Sequence, residues 1–447
     1  MTRASTAAAR RSHRPPTAAE RRALATVSGM LAQLQVGAVE VRLPDGRVRI
    51  FGDPDAELRS DIDVRDWRFL TSLLHGASVG VGESYMAGYW TSSDLVALIR
   101  IVIANRRALR RITPAAVLNI AGDKLIHGMR ANRLGQSKRN IEAHYDLSNE
   151  LYALFLDDTM TYSAAYFPDA TVTLEEAQEA KYARLAEKVR IDADCHVLEI
   201  GCGWGGFASY VARTHGCRVT GITLSEQQAA YARERMVREG LDHLVDVRVV
   251  DYRKVGGRFD RIVSIEMLEA VGHRYFGSFF ETVDHLLAPD GLAVIQVITI
   301  PEQRYDDYRR RPDFIQRYIF PGGHLPSLEA ISGAMGSNSE LYVESSENIG
   351  VHYAETLRRW RERFMGNVEQ VEQLGFDRRF VRMWEFYFAY CEGAFLARYI
   401  NDLQLVLTRP MNGTLGIGPY GRELVPVREA DLPPRRLRRT ATDEVVA

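Results

Sequence analysis

From Cys195 onward the sequence alternates short apolar runs with amphipathic stretches, and this order restricts the possible fold more than any other feature. Five runs have the length and composition of buried strands: HVLEIG, RVTGIT, VDVRVVDY, FDRIVSIE and LAVIQVITI. The stretches after the first two have helical spacing, and Ser225 stands where the second helix should begin, as its N-cap. We therefore expect an α/β, doubly wound, Rossmann-like parallel sheet that binds ligands at the carboxyl ends of its strands.

A glycine-rich loop follows the first of these strands. Gly201, Gly203 and Gly206 satisfy the spacing G-x-G-x-x-G, which permits a tight turn and close approach of a ligand to the backbone. The spacing alone allows either a dinucleotide or S-adenosylmethionine (SAM). A dinucleotide site usually carries an acid at the end of the second strand, where this chain has Thr223, whereas Glu199 before the loop is typical of SAM-dependent methyltransferases. The pattern favours SAM.

The rest of the chain divides by composition. Residues 1–27 and 426–447 predict a disordered basic arm and a disordered tail. Residues 28–104 combine strand-like runs, a hairpin motif at Asp45-Gly46 and an apolar helical run, which indicates a small α+β domain. We interpret residues 141–425 as the methyltransferase domain, with two helical stretches near its end, AETLRRWRERFMGNVEQVEQLG and RRFVRMWEFYFAYCEGAFLARYINDLQLVLTRP.

Two segments suggest contact with an anionic membrane surface. Residues 105–140 contain nine Lys or Arg against one acid, with apolar residues between them at helical spacing, so we expect a basic amphipathic connector. A basic, aromatic insertion at 302–330 follows the fifth strand, where a lid over the active site would lie. No apolar run approaches the roughly 20 residues that span a bilayer, so we expect a cytoplasmic protein bound peripherally to the membrane.

Composition argues against other classes of function. The net charge of −1 and the absence of a nucleic-acid-binding motif predict no nucleic-acid partner. The four cysteines show neither CxxC spacing nor a disulfide framework, which favours a reducing compartment and no metal site.

Six segments, in order, resemble the cyclopropane-fatty-acyl-phospholipid synthase family, which includes fatty acid C-methyltransferases that form methylene-branched chains. The segments are NIEAHYDLSNELYALFLDDTMTYSAAYF, LEIGCGWGGFASYVA, GITLSEQQAAYA, IEMLEAVGHRYFGSFF, QRYIFPGGHLPS and CEGAFLARYINDLQLVL. The resemblance implies SAM-dependent methylation of a cis double bond in an unsaturated, oleoyl-type acyl chain on a membrane phospholipid, through a carbocation. It also implies that the N-terminal domain binds lipid and that the protein forms a homodimer.

The resemblance also implies which residues contact SAM. By motif match they are Tyr162, Ser163, Gly201, Gly203, Thr223, Gln228, Asp251 and Tyr252. Asp251 ends the third strand, where it could contact the adenine of SAM or simply cap the following turn.

In this family a bound bicarbonate, held by a small polar cluster, removes the proton from the carbocation. The resemblance places that cluster on Glu269, Tyr353 and the backbone of Ile298. The sequence departs from the pattern at Ala164 and Gln296, where a Cys and a His are expected, and these departures weaken the case for bicarbonate. Glu266, or Asp146 with His144, could then share the role of base.

The two acids of SIEMLEAVG are expected to divide their tasks, with Glu266 beside the SAM pocket and Glu269 facing the acyl chain. Aromatic faces stabilise cations, and the matching segments supply seven such residues. They are Tyr145, Tyr162, Tyr166, Phe167, Tyr318, Phe320 and Tyr353.

Several alternatives stay open on the sequence alone. The product can be a 10-methylene (methyl-branched precursor) chain or a cyclopropane, depending on whether a hydride shifts before the proton leaves. The chain could instead methylate a soluble small molecule, or bind SAM with weakened catalysis after losing the Cys and the His.

Overall fold

A computed structural model of the protein describes residues 14–110 and 148–415. The connector expected at 105–140 is therefore described only as far as residue 110, and the tail expected at 426–447 lies outside the described residues. His144, Tyr145 and Asp146 lie outside them as well.

Helices account for a little under half of the described residues. In chain order they are α1 (Ala18–Leu31), α2 (Arg68–Met86), α3 (Leu95–Ala104), α4 (Arg106–Arg110), α5 (Asn149–Ala153), α6 (Leu174–Lys188), α7 (Gly206–His215), α8 (Glu226–Glu239), α9 (Phe276–Leu286), α10 (Glu302–Tyr308), α11 (Phe314–Tyr318), α12 (Leu328–Asn338), α13 (Gly350–Gly366), α14 (Val368–Gln373) and α15 (Arg378–Leu396). Within the described residues, no helix is both long and apolar enough to span a membrane.

The N-terminal part of the chain forms a small α+β unit, as the sequence predicts. Its four strands are β1 (Ala38–Arg42), β2 (Val48–Gly52), β3 (Arg59–Val64) and β4 (Trp90–Thr91), in the sheet order β2-β1-β3-β4. The hairpin predicted at Asp45-Gly46 joins β1 and β2, which pair antiparallel. Gly46 has φ +88°, a conformation that favours glycine, so this turn determines the register of the hairpin.

Helix α1 overlaps the segment for which the sequence predicted disorder. A capping box begins this helix, in which the Thr17 hydroxyl accepts from the Glu20 N–H and the Glu20 carboxylate accepts from the Thr17 N–H at 2.7 Å. The prediction of a disordered arm at 1–27 was therefore wrong for residues 18–27. Alanine and arginine also favour helix, and here a cap and contact with α2 stabilise it.

A seven-stranded sheet forms the centre of the C-terminal part. Its strands are β5 (His196–Ile200), β6 (Arg218–Thr223), β7 (Val245–Val249), β8 (Phe259–Ile265), β9 (Leu287–Thr299), β10 (Tyr342–Asn348) and β11 (Asn401–Thr408), in the order β10-β11-β9-β8-β5-β6-β7. Strands β5 to β9 pair in parallel, as expected for a doubly wound sheet. The Ser225 side chain caps α8 as predicted.

Two further strands extend the sheet beyond β9. Strand β11 pairs antiparallel with β9, and β10 pairs antiparallel with β11. The sequence analysis assigned the end of the last helical stretch to a helix, but α15 ends at Leu396 and Asn401–Thr408 form β11. The run DLQLVLT has an almost continuous apolar character, which does not distinguish a buried strand from a buried helix.

The N-terminal unit packs against the segment expected to act as a lid. Helices α2 and α3 contact α15, and the Tyr85 hydroxyl donates to Glu385 at 2.7 Å. Helix α2 also contacts α11, where Gly82 lies so close to Phe314 that a Cβ atom would overlap the ring. The Tyr318 hydroxyl of α11 donates to Glu83. The first unit thus holds part of 302–330 in place.

We predict that Gly82→Ala lowers the free energy of unfolding by about 1–3 kcal/mol, because the added methyl group has no room beside Phe314. The matched control is Gly29→Ala in α1, where no atom lies within 4 Å of the added carbon. That substitution should raise stability by up to about 1 kcal/mol through helix propensity. Urea unfolding measures both, and equal effects would contradict close packing of α2 on α11.

Candidate active site

Two cavities meet beside the carboxyl end of β8. The first, which we call the sheet-end cavity, lies at the carboxyl ends of β5, β6 and β8. The second, the apolar cavity, lies between α10, α11, α13 and α15. Tyr162, Glu266 and Ala270 line both cavities. A ligand in one cavity can therefore reach a ligand in the other past these three residues.

The sheet-end cavity brings together all eight residues that the sequence analysis assigned to SAM. They are Tyr162, Ser163, Gly201, Gly203, Thr223, Gln228, Asp251 and Tyr252. Gly201 and Gly203 have φ +85° and +52°, and no atom lies within 4 Å of where a Cβ of Gly203 would stand. This open cradle over a glycine turn, at the N-terminus of α7, fits a nucleoside ligand that approaches the backbone closely.

Glu199 supplies an acceptor in the same cavity. Its side chain is buried, and within the described residues Oε2 has no hydrogen-bond partner. Burial raises the pKa of this carboxyl to about 8. A buried acceptor without a donor suits a ligand that brings N–H or O–H groups, as the amino acid and ribose parts of SAM do.

Asp251 has a different environment from the other residues of the cavity. Both of its carboxylate oxygens bond Arg253, with distances of 2.8 Å to Nε and 2.6 Å to Nη2, and Oδ1 also accepts from the Arg253 N–H at 3.0 Å. Asp251 thus caps the turn after β7, one of the two roles that the sequence left open for it.

Lys181 is a residue of this region that the sequence analysis missed. It is fully buried on α6, and its ammonium donates to the Ser163 hydroxyl at 2.7 Å. Burial lowers the pKa of this amine to about 8, while the surrounding carboxyls, among them Glu266 and Asp402, act in the opposite direction. Helical spacing from Ala177 and Leu185 places Lys181 on the inner face of α6, which is a recognisable pattern in the sequence.

The Glu266 carboxylate lies at the centre of the junction between the cavities. Its oxygens accept from the Tyr353 hydroxyl at 2.7 Å, the Ala164 N–H at 2.8 Å and Gln296 Nε2 at 2.9 Å. Burial raises the pKa of this carboxyl above its ordinary value, and the three donors oppose that shift. Glu266 has φ +49°, which costs about 1–2 kcal/mol for a residue with a side chain.

The hydrogen bonds of Tyr353 and Gln296 differ from those of the cluster that the resemblance placed on Glu269. Tyr353 donates to Glu266 rather than to Glu269, and Gln296 also donates to Glu266. Glu266 borders the sheet-end cavity as expected, but it borders the apolar cavity as well. The main chain bends at Glu266, so that its side chain points toward Tyr353 and Gln296. The sequence analysis had grouped these positions with Glu269.

Asp402 on β11 completes the cluster and was also missed. Gln296 Nε2 donates to Asp402 Oδ2 at 3.0 Å while it donates to Glu266, and Gln296 Oε1 accepts from Gln404 at 3.1 Å. Burial, and then the nearby Glu266, raise the pKa of the Asp402 carboxyl well above its ordinary value. An acid inside the apolar run NDLQLVL is unusual enough to indicate a special role.

Glu269 faces the apolar cavity alone, as the sequence analysis expected. Its Oε1 accepts from the Ile298 N–H at 2.5 Å, the contact that the resemblance implied, while Oε2 is buried without a partner among the described residues. Burial raises the pKa of this carboxyl to about 8, and the charge of Glu266 contributes in the same direction. Glu269 is thus protonated over much of the neutral range.

The residues present do not fit a bound bicarbonate. The donors that would hold this anion, Tyr353, Gln296 and the Ala164 N–H, already bond to the Glu266 carboxylate. A second anion beside a buried carboxylate would be repelled strongly.

Aromatic rings line much of the apolar cavity. Those that line it are Tyr162, Tyr308, Phe320, Tyr353, Tyr387, Tyr390, Phe395 and Tyr399. Of the rings expected from the sequence, Tyr162, Phe320 and Tyr353 are among them. Tyr166 packs on His352 instead, Phe167 faces Arg359, and Tyr318 bonds Glu83.

Comparison with known proteins identifies close relatives. The profile of the family described as mycolic acid cyclopropane synthetase matches residues 132–405. The chain is 40% identical over 350 residues to the tuberculostearic acid methyltransferase of Mycobacterium tuberculosis, covering 75% of this chain and 79% of that protein. It is 37% identical over 365 residues to the cyclopropane-fatty-acyl-phospholipid synthase of Escherichia coli K12, covering 80% and 90%.

Solved structures agree with these matches. The crystal structure of a mycolic acid cyclopropane synthase complexed with SAH and CTAB superposes with a TM-score of 0.57 at 31% identity. The match covers 61% of this chain and 98% of that one.

We predict that Gly203→Ala weakens SAM binding at least 10-fold, because the added methyl group occupies the open cradle. Gly216→Ala is the matched control, since Gly216 also has positive φ (+71°) and open space around it but does not line the cavity. Both variants should lose about 1 kcal/mol of stability from backbone strain. Titration calorimetry that showed equal affinities for the two variants would contradict this assignment of the cradle.

We also predict that Glu269→Gln flattens the pH dependence of stability. With a folded-state pKa of about 8 against an ordinary 4.5, Glu269 keeps a proton that the unfolded chain releases, so its contribution declines as pH rises from about 4.5 to 8. Between pH 5 and 8, the loss of unfolding free energy should be at least ~1 kcal/mol smaller in the variant. Urea unfolding across this range measures the difference, and parallel curves for the two proteins would refute it.

Proposed function

Because this chain belongs to the mycolic acid cyclopropane synthetase family, and is thus a SAM-dependent C-methyltransferase of fatty acyl chains, we propose a specific reaction for it. The substrate is the cis double bond of an oleoyl-type chain on a membrane phospholipid. The observation that carries the proposal is the Glu266 carboxylate, held by three donors where the sheet-end cavity meets the apolar cavity.

The two cavities accommodate the two reactants. SAM bound over Gly201 and Gly203 supplies an electrophilic methyl group, and its carbon–sulfur bond breaks as the alkene forms a new carbon–carbon bond. The apolar cavity holds the acyl chain, so that the double bond lies beside Tyr162 and Glu266. The alkene is a poor nucleophile, and most of the rate enhancement therefore comes from alignment and from exclusion of water.

The aromatic rings protect the cation that methyl transfer leaves on the acyl chain. Tyr162 and Tyr353 border the junction, and the Tyr162 hydroxyl lies 3.1 Å from that of Tyr387. Their faces stabilise positive charge without donating an electron pair that would trap it. Helices α10 and α11 cover the cavity and keep water away from the cation.

Glu266 then accepts the proton that the cation must lose. A C–H bond of the added methyl group breaks, the proton passes to the carboxylate, and the electron pair forms the last bond of the product. Tyr353 and Gln296 orient the carboxylate. Lys181 and Asp402, also buried nearby, influence its charge. The Glu266 carboxylate thus acts as the base that removes the proton, a role for which the resemblance implies bound bicarbonate.

We favour the 10-methylene product over the cyclopropane. Both Glu266 oxygens already accept hydrogen bonds, which slows proton transfer and leaves time for a hydride to shift between the two former alkene carbons. Loss of a proton from the added methyl group after that shift gives a methylene group attached to the acyl chain by a double bond. The 40% identity to a tuberculostearic acid methyltransferase is consistent with this choice, while 37% identity to a cyclopropane-fatty-acyl-phospholipid synthase makes the ring the second candidate.

We further propose that the protein works peripherally at an anionic membrane surface of the cell interior. Exposed arginines support this proposal at the start of the basic connector (Arg106, Arg107) and in the 302–330 segment (Arg310, Arg311). A homodimer, which the resemblance implies, is part of the same proposal.

The reaction can be tested with purified protein, SAM and vesicles of dioleoylphosphatidylglycerol. Gas chromatography and mass spectrometry of the acyl chains should show a methylene-branched C19 product. A cyclopropane would overturn the choice of product, and the absence of any methylated chain would refute the phospholipid reaction. Methylation of soluble acceptors without vesicles would favour a small-molecule methyltransferase.

We predict that Glu266→Gln lowers product formation at least ~100-fold, because the amide cannot accept the proton. The neighbouring Glu269→Gln serves as control and should retain activity within about 10-fold, since Glu269 is protonated near neutrality. SAM affinity, measured by calorimetry, should change little in either variant. The reverse order of activities would return the role of base to Glu269.

A further inference from the structure

We propose that Arg106 and Arg304 form a phosphodiester-binding site at the mouth of the apolar cavity. The proposal rests on the phospholipid reaction above and identifies the residues that hold the polar end of the substrate. It begins from two arginines that share one aromatic ring, Tyr399, where the cavity wall meets the protein surface.

Tyr399 brings the two guanidinium groups together. The Arg304 guanidinium carbon lies 3.1 Å from the centre of the Tyr399 ring, and that of Arg106 lies 5.7 Å from it. The two carbons are therefore no more than about 9 Å apart, a separation that one phosphate group can bridge with a hydrogen bond to each side. Arg304 also donates to the Tyr399 carbonyl, and Arg106 donates to the Ile103 carbonyl at 3.2 Å. These backbone contacts orient both groups.

The positions of the two arginines locate the mouth of the cavity. Arg304 and Tyr399 line the apolar cavity, whereas Arg106 is exposed and lies just outside its lining. An acyl chain that reaches Glu266 inside would thus leave its polar end between these side chains. The cavity is lined mainly by apolar and aromatic residues, and the two arginines add positive charge at this end, which matches a chain that ends in an anion.

Within the described residues, neither guanidinium group of the pair has a carboxylate oxygen within 4.0 Å, whereas Arg309 in the same 302–330 segment pairs with Asp306 at 2.8 Å. The groups that face Arg304 are Arg106, Asp313, Tyr390 and Tyr399. Partial burial lowers the pKa of Arg304, and the nearby Arg106 lowers it further. Two such cations repel each other until an anion lies between them.

A phosphodiester fits this pair better than a carboxylate does. Guanidinium groups bind phosphate oxygens through paired N–H donors, and two separate groups can bind the two free oxygens of one phosphodiester. A glycerophospholipid joins such a phosphodiester to acyl chains through a short glycerol link. The geometry therefore favours a phospholipid over a free fatty acid.

Binding can be measured without turnover. The probe is dihexanoylphosphatidylglycerol, a phospholipid soluble as a monomer, titrated into the full chain and followed by calorimetry. Arg106→Gln and Arg304→Gln should each raise the dissociation constant at least ~10-fold, the loss expected for a charge-assisted contact. Arg100→Gln removes an exposed arginine of the preceding helix, α3, as a matched control and should leave the constant unchanged.

A second measurement links this site to the reaction. Dioleoylphosphatidylglycerol and methyl oleate, which lacks a phosphate, are presented in the same neutral detergent micelles. In Arg106→Gln, the ratio of kcat/KM for the phospholipid to that for methyl oleate should fall at least ~10-fold, and in Arg100→Gln it should stay as in the wild type.

The outcomes separate this inference from the proposed function. Equal binding of the short-chain phospholipid by wild type, Arg106→Gln and Arg304→Gln would overturn the site even if oleoyl chains are methylated. If inorganic phosphate binds more tightly than the short-chain phospholipid, the site is one for free phosphate. If oleate binds more tightly, the site is one for a carboxylate. Either result overturns the proposal. Arginine-dependent binding with no methylated product would sustain the site and refute the reaction.

Discussion

The burial of one carboxylate, Glu266, is the constraint on which the active site depends. A buried charge must be matched by donors, because its loss of solvation would otherwise destabilise the fold by several kcal/mol. Here the donors come from three separate segments, at Ala164, Gln296 and Tyr353. Their common partner relates the loop before α6, strand β9 and helix α13 to one another, and so defines where the two cavities meet.

The antiparallel end of the sheet belongs to the same arrangement. Strand β11 pairs with β9 in a register that sets Gln404 opposite Gln296 and Asp402 opposite Ile298. Side chains from both strands therefore enter the cluster around Glu266. The sheet-end cavity lies at the ends of parallel strands, and the added antiparallel strand β11 contributes Asp402 and Gln404 behind the carboxylate. Both parts of the sheet therefore contribute to the junction of the two cavities.

The N-terminal unit affects the site at a distance. Its helix α2 packs on α11 through the close contact of Gly82 with Phe314, and α11 covers the apolar cavity. The chain that leaves this unit carries Arg106 to the Tyr399 ring, next to Arg304 of the 302–330 segment. A small domain that is separate in sequence thereby packs against a wall of the apolar cavity and adds a positive charge beside it.

The sequence by itself determined the doubly wound sheet and the glycine loop, because each depends on local spacing along one strand, turn or helix, and the resemblance predicted the eight residues that line the sheet-end cavity. Helix α1, strand β11 and the roles of Lys181 and Asp402 depended on packing partners remote in the chain. The tertiary structure also decided which of Glu266 and Glu269 accepts the hydrogen bond of Tyr353. Tyr353 is 87 residues from Glu266, and a left-handed backbone conformation at Glu266 decides which acid its hydroxyl meets. The local sequence places Glu266 and Glu269 just after the end of β8. Only the tertiary structure decides that the hydrogen-bond donors surround Glu266.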